Sequence, residues 1–154
     1  MQKILSFIAI VSMFSLFTSC KNNAQKPFGK DPALEGKRWV MTAMNGVALT
    51  LPADSKAIDL VYDGNSNTFG GYAGCNQMNG MYTTGEENMI RLHKMAVTEM
   101  ACSDMTFEQK YLEMIDKTTN YKLTRKKQGK ETLEFLYLYI DKTEVATYKA
   151  EPLK

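Results

Sequence analysis

Residues 69–84 read FGGYAGCNQMNGMYTT, with glycine at 70, 71, 74 and 80, asparagine at 76 and 79, and one cysteine at 75. Glycine and Asn-Gly positions bend a backbone repeatedly, while Phe69, Tyr72 and Tyr82 are residues of strands. The stretch therefore reads as a tight structural corner set between strands, held by Gly70, Gly71, Gly74, Asn76, Asn79 and Gly80. Asn76 and Asn79 are expected to hold it through side-chain bonds to backbone, as asparagine does in turns. The other role open to them is to line a ligand-binding mouth. A second cysteine, Cys102, follows in TEMAC, where strand should give way to helix.

Working outward, the chain alternates short apolar segments with turn signals. KRWVMTAM around Trp39 reads as a first strand, and Asn45-Gly46 as the turn before VALTL. Ile58, Leu60 and Tyr62 fall on one alternating face, and DGNSN at 63–67 leads into the Phe69 strand. Residues 81–84 are extended, Gly85-Glu86-Glu87 turns, and residues 89–95 alternate again through Ile90 and Leu92. One helix is expected after Cys102. Thr106 and Gln109 fit a capping box, Glu108 lies in the first turn, and Phe107, Tyr111, Met114 and Ile115 share a face. Three strands at 121–124, 132–140 and 144–148 complete the chain. LEFLYLYI is apolar at both periods and reads as a central strand buried from two sides. The resulting class is α+β: an antiparallel β-sheet curled into a partial barrel, with one main α-helix packed against it.

The amino terminus bears on the compartment. Lys3 precedes an uncharged, mostly apolar run of fourteen residues, 4–17, which is short for a bilayer span and about the length of a signal-peptide core. Thr18-Ser19-Cys20 and the polar KNN after it resemble the lipobox of bacterial lipoproteins, in which the cysteine sulfur takes a diacylglycerol. The reading is of residues 1–20 as signal peptide, Cys20 as the lipidation site, 21–33 as a flexible tether and 34–149 as the folded domain. The twelve residues 21–32, KNNAQKPFGKDP, extended at about 3.3 Å each, would span about 40 Å. The expected location is the bacterial cell envelope, at the outer membrane or periplasmic face.

With Cys20 consumed, an even pair remains, and an oxidising envelope favours a Cys75–Cys102 disulfide. Closing a loop of 28 residues, it would stabilise the fold by about 3 to 4 kcal/mol through chain entropy. The competing reading is a redox pair with one thiolate activated by the helix amino end. Neither cysteine belongs to a CxxC motif.

A formal charge of +2 with 23% charged residues is too balanced for an electrostatic nucleic-acid binder. Lys122, Arg125, Lys126, Lys127 and Lys130 cluster around Gly129 and read as a solvated hairpin, with weak attraction to anionic lipid heads as the alternative. His93 is the only histidine. It has no companion at ligand spacing for zinc or for a catalytic triad. Seven of the eleven methionines lie between Met78 and Met114 and read as core filler rather than Cu(I) ligands. No cofactor or metal is expected, and no catalytic residue is assigned.

Leu34-Glu35-Gly36 followed by Trp39, the GCN of residues 74–76, the MAC of residues 100–102, and a helix with Glu108 and Tyr111 leading to Tyr121 together resemble the META domain, also called the HslJ-like heat-shock protein family. The resemblance covers about residues 34–148. It implies antiparallel strands with one helix, in envelope or secreted proteins that are often lipoproteins, some linked with heat shock and novobiocin resistance, with no established enzymatic activity. Where the family's motif usually has Arg before Met-Ala-Cys, this chain has Glu99. The expected function is non-catalytic: a lipid-anchored domain contributing to stress tolerance or envelope integrity through binding. Its expected partners are the membrane through the lipid, and an envelope protein or a small apolar ligand. A barrel carrying a small apolar ligand or lipid is the second reading, and a thiol redox protein the third.

Overall fold

In the computed structural model, residues 30–52 and 55–153 are described; the signal-peptide, lipidation and most of the tether assignments fall outside them. Nine strands run β1 (Arg38–Met44), β2 (Val47–Ala48), β3 (Asp59–Asp63), β4 (Thr68–Tyr72), β5 (Gln77–Thr84), β6 (Ile90–Val97), β7 (Asn120–Gln128), β8 (Glu131–Ile140) and β9 (Thr143–Glu151). Among the described residues one α-helix, α1 (Thr106–Lys117), joins β6 to β7. The sheet order is β6-β5-β4-β3-β1-β9-β8-β7, with β2 paired to β1, and every pairing is antiparallel. The sheet curls without closing. Its edge strands approach at one end only, through a bridge between Met89 and Asn120 and an Ile90 N–H bond to the Thr119 carbonyl at 2.9 Å. This is the α+β partial barrel expected from the strand spacing.

Alternation explains the burial. Leu60 and Tyr62 of β3, Trp39 and Met41 of β1, Leu136 and Leu138 of β8 and Tyr148 of β9 all turn to one side and are buried. Helix α1 buries Tyr111, Met114 and Ile115 in the same core, and the Tyr148 hydroxyl donates to that of Tyr111 at 3.2 Å. Tyr62 and Tyr82 meet edge to face at 5.0 Å between ring centres. At the start of the domain, the Trp39 indole donates to the Leu34 carbonyl at 2.8 Å, Gly36 takes φ +70°, and the Tyr82 hydroxyl donates to Glu35 at 3.2 Å. The Leu-Glu-Gly…Trp motif is thus a corner that seats the incoming chain. Asp31 is also buried and accepts a bond from the Tyr121 hydroxyl, so ordered packing reaches into the stretch expected to be tether.

Three local expectations change. The Thr106 capping box does not form: the Asp104 carboxylate accepts from the Thr106 N–H at 2.8 Å, and the residue flanking the helix is Met105, with no side-chain cap. Asp104 lies two residues before that N–H, the short reach an Asx turn uses. Strand β8 is next to the edge rather than central, and only Leu136 and Leu138 are buried; Phe135, Tyr137 and Tyr139 are half-buried on the other face. Aromatic residues suit an open sheet face as well as a closed one, so LEFLYLYI reads as two-sided without being so. Finally, β7 continues through Lys126 and Lys127, which leaves only Gly129 (φ +63°) and Lys130 in the turn.

Candidate functional site: a clamped corner

The bend in residues 69–84 is narrower than the glycines imply. Gly70 and Gly71 lie within β4, and Asn79 and Gly80 within β5; the turn itself is residues 73–76, closed by the Ala73 N–H on the Asn76 carbonyl at 2.9 Å. Gly74 takes φ +125°, a conformation that side chains rarely adopt. The glycines within the strands answer to close packing. A Cβ on Gly71 would sit 1.9 Å from the Asp59 backbone oxygen, and one on Gly80 would meet the Phe69 ring at 2.6 Å and the His93 carbonyl at 2.9 Å. Gly80 lies where the β5–β6 register shifts. Asn79 pairs with Gly70 and Ala96 and is exposed, so it does not hold the corner.

Asn76 does. Its Oδ1 accepts from the Met100 N–H at 2.7 Å and the Thr98 hydroxyl at 2.9 Å, while its Nδ2 donates to Glu108 at 2.7 Å and to the Met100 carbonyl at 3.4 Å. All four capacities of the amide are filled. Glu108 also accepts the N–H groups of Cys75 and Asn76, at 2.8 and 2.6 Å on one oxygen. The residue is only 3% exposed. Burial pushes its pKa up, but the bonds from the Asn76 side chain and the Asn76 and Cys75 amides outweigh it and hold the group below the ordinary glutamate value. The amino end of α1 adds to that preference for the anion.

The disulfide Cys75–Cys102 closes the clamp, with 6.2 Å between Cα atoms. Cys75 is buried and Cys102 lies at the surface. Joined to each other, these sulfurs are not available as soft-metal ligands. Glu99, where the family motif usually has Arg, is exposed. His93 stands opposite Met81 across the β5–β6 ladder. Among the described residues no group of three His, Cys, Asp or Glu is placed to hold a metal.

Reading from sequence missed the inward role of Glu108, although a signal was present. Glu108 precedes Tyr111 by three and Ile115 by seven, which puts it on the buried face of the helix. It also missed Asp59, a buried carboxylate paired with Arg38 and accepting the Tyr72 N–H at 2.7 Å; nothing in its local sequence marks it. Beside the clamp lies a cleft of about 380 Å³ that includes Lys56, Tyr72, Phe107 and Glu108, with the Lys56 ammonium 4.5 Å from the centre of the Tyr72 ring. A second cleft of about 450 Å³, mostly apolar, lies near the point where the sheet edges meet, between Thr83–Arg91 residues such as Met89 and Ile90 and the end of α1 at Lys117.

The META domain model matches residues 32–151. This chain belongs to the META domain family. Its fold is also similar to that of an NMR structure of a protein from Burkholderia xenovorans, with a TM-score of 0.54 and 18% identity over 98% of this chain and 99% of the other. No curated protein matches the chain. For this META domain, Gly74–Asn76 and Met100–Cys102 are the two sides of one clamp: Asn76 bonds to Met100, and Cys75 to Cys102.

Proposed function

We propose that this META domain is a non-catalytic module of a bacterial envelope, anchored by lipid at Cys20 and contributing to stress tolerance or envelope integrity through a binding surface. One observation carries the reading. The residues best equipped for chemistry, Glu108, Asn76 and the two cysteines, are occupied by each other and by backbone groups, so their work is to hold the corner. A general base needs a free lone pair aimed at a substrate, and a thiol enzyme needs an activated thiolate. Membership of a family without established catalysis supports the same conclusion.

Packing of the interior favours a surface over an enclosed ligand chamber. Trp39, Tyr62, Tyr82, Tyr111 and Tyr148 are all less than 2% exposed and occupy the space a carrier barrel would leave for its cargo. Cross-linking in intact cells, followed by identification of the adducts, tests the proposal. A repeatable envelope partner or lipid is expected. Turnover of a small substrate that is lost on Cys75→Ser and Cys102→Ser would overturn it, as would a mature chain whose Cys20 peptide carries no acyl mass.

A further inference from the structure

The β7–β8 hairpin holds an unequal share of the charge. Residues 120–140 contain five basic side chains and two acidic ones, a balance of +3 in a chain of net +2, so the remainder is net negative. Glu134 is already paired, with Lys37 and with Arg125 at 2.6 Å, leaving Glu131 at the turn as the other carboxylate of the hairpin. Among the described residues, Lys122, Lys126, Lys127 and Lys130 form no ion pair.

Register sorts these residues by face. Lys122 stands opposite Tyr137, Thr124 opposite Phe135, and Lys126 opposite Leu133; on the other side Phe135 faces Lys149 of β9. Cross-strand partners share a face of the sheet, and this is the face turned away from buried Leu136, Leu138 and Tyr148. Phe135 and Tyr137 lie 6.5 Å apart between ring centres, and the Lys126 ammonium is 5.3 Å from the Phe135 ring. Lysines along an edge strand also deter pairing with other sheets. That duty concerns the edge, and it requires neither Lys149 on β9 nor a row of aromatic rings across the face.

Asp31 is tied to β7 by the Tyr121 hydroxyl, and Ala33 borders the same cleft as Leu123 and Arg125. Tyr121, Leu123 and Arg125 alternate with Lys122 and Lys126 along β7, so these contacts lie on the core side of the hairpin and leave the lysine face uncovered.

We propose that the outer face of β7, β8 and β9, with Lys122, Lys126 and Lys149 around Phe135 and Tyr137, docks on an anionic lipid bilayer. Its place at a membrane rests on the lipid-anchored reading above, whereas the charge and aromatic complementarity stand without it. Lysines near an anionic surface strengthen adsorption by about fivefold each at ordinary salt, and aromatic rings seat at the headgroup level.

The test uses the full chain with vesicles of phosphatidylcholine alone or mixed with phosphatidylglycerol. A water-soluble acylating reagent is applied, and modification of each lysine is followed by mass spectrometry. With anionic vesicles, Lys122, Lys126 and Lys149 are expected to react several-fold more slowly than Lys110 on α1 and Lys142 in the β8–β9 turn, and high salt is expected to erase the difference. Equal rates at all five would overturn the proposal, as would equal protection on neutral vesicles. A Lys122→Glu, Lys126→Glu variant, folded by circular dichroism, should lose the protection of Lys149, and undiminished protection there would overturn the proposal. Retention of the wild-type chain by anionic but not neutral vesicles would sink the anchor and support the face; its retention by neither would sink both.

Discussion

Replacing Glu108 with Gln tests whether a buried carboxylate organises the corner. Three hydrogen bonds end on it, from the Cys75 and Asn76 amides and from Asn76 Nδ2. Bonds to a charged acceptor contribute about 1.5–3 kcal/mol and neutral ones about 0.5–1.5. The carboxamide oxygen of Gln can keep the two backbone donors at the weaker strength, a loss of about 1 kcal/mol each. Its NH₂ then confronts Asn76 Nδ2, donor against donor. Asn76 cannot turn over to relieve this without losing its bonds from Met100 and Thr98. With about 1–2 kcal/mol for that conflict, the total is about 3–4 kcal/mol. The entropy of unfolding of a domain of this size is about 0.25 kcal/mol per degree, so the melting temperature of Glu108→Gln should fall by about 12–16 °C at neutral pH. Circular dichroism of the oxidised protein is the assay.

The pH dependence carries a definite sign. Because the folded Glu108 pKa lies below its ordinary value, the carboxylate's contribution is fully present above the unfolded-chain value of about 4.3 and is lost as pH falls through the folded pKa. The gap between wild type and Glu108→Gln should therefore be widest near neutrality and shrink below about pH 4. A shift under about 3 °C at pH 7, or a gap that persists unchanged to about pH 3, would refute the reasoning. A double-mutant cycle with Asn76→Ala should return a coupling of at least about 1 kcal/mol; additivity within about 0.5 would show that the two side chains act separately.

Adjacent glycines should behave oppositely. Gly71→Ala drives a Cβ into the Asp59 backbone and should cost about 3 kcal/mol or more, whereas Gly70→Ala meets only the Met78 carbonyl at 3.5 Å and should be neutral or slightly stabilising in chemical denaturation. Reduction of Cys75–Cys102, 27 residues apart in sequence, should lower stability by about 3.5 kcal/mol on chain-entropy grounds, read as a shift of the denaturation midpoint with and without reductant. Five phenols, Tyr62, Tyr82, Tyr111, Tyr121 and Tyr148, have pKa values raised chiefly by burial. The stability they confer is complete below the unfolded tyrosine value of about 10 and is lost as pH rises beyond it. Their ionisation in ultraviolet titration should coincide with loss of the folded circular dichroism signal; ionisation of all five in a still-folded protein would contradict their burial.

Much of the fold was legible because it rests on local pattern. Ile58, Leu60 and Tyr62 are buried as their alternation requires, Asn45 and Gly46 take φ +50° and +74° in the β1–β2 hairpin, and Tyr111, Met114 and Ile115 are the inner face of α1. The corner was legible as a place, but its extent was not. Glycine serves a turn at Gly74 and close strand packing at Gly71 and Gly80, and one letter does not separate those needs. Asn76 and Asn79 likewise differ only in what surrounds them, four bonds for one and exposed strand for the other.

What the chain alone determined was periodicity: which residues turn inward, where hairpins form, and that one amphipathic helix interrupts a run of strands. Tertiary structure decided which distant groups meet. It set Glu108 beneath the amides of Cys75 and Asn76, 33 and 32 residues away, and Tyr121 beside Asp31 across 90 residues. Side-chain direction follows from the backbone period of its own segment, whereas a partner is chosen by how the whole sheet curls, and that is a property of no single segment.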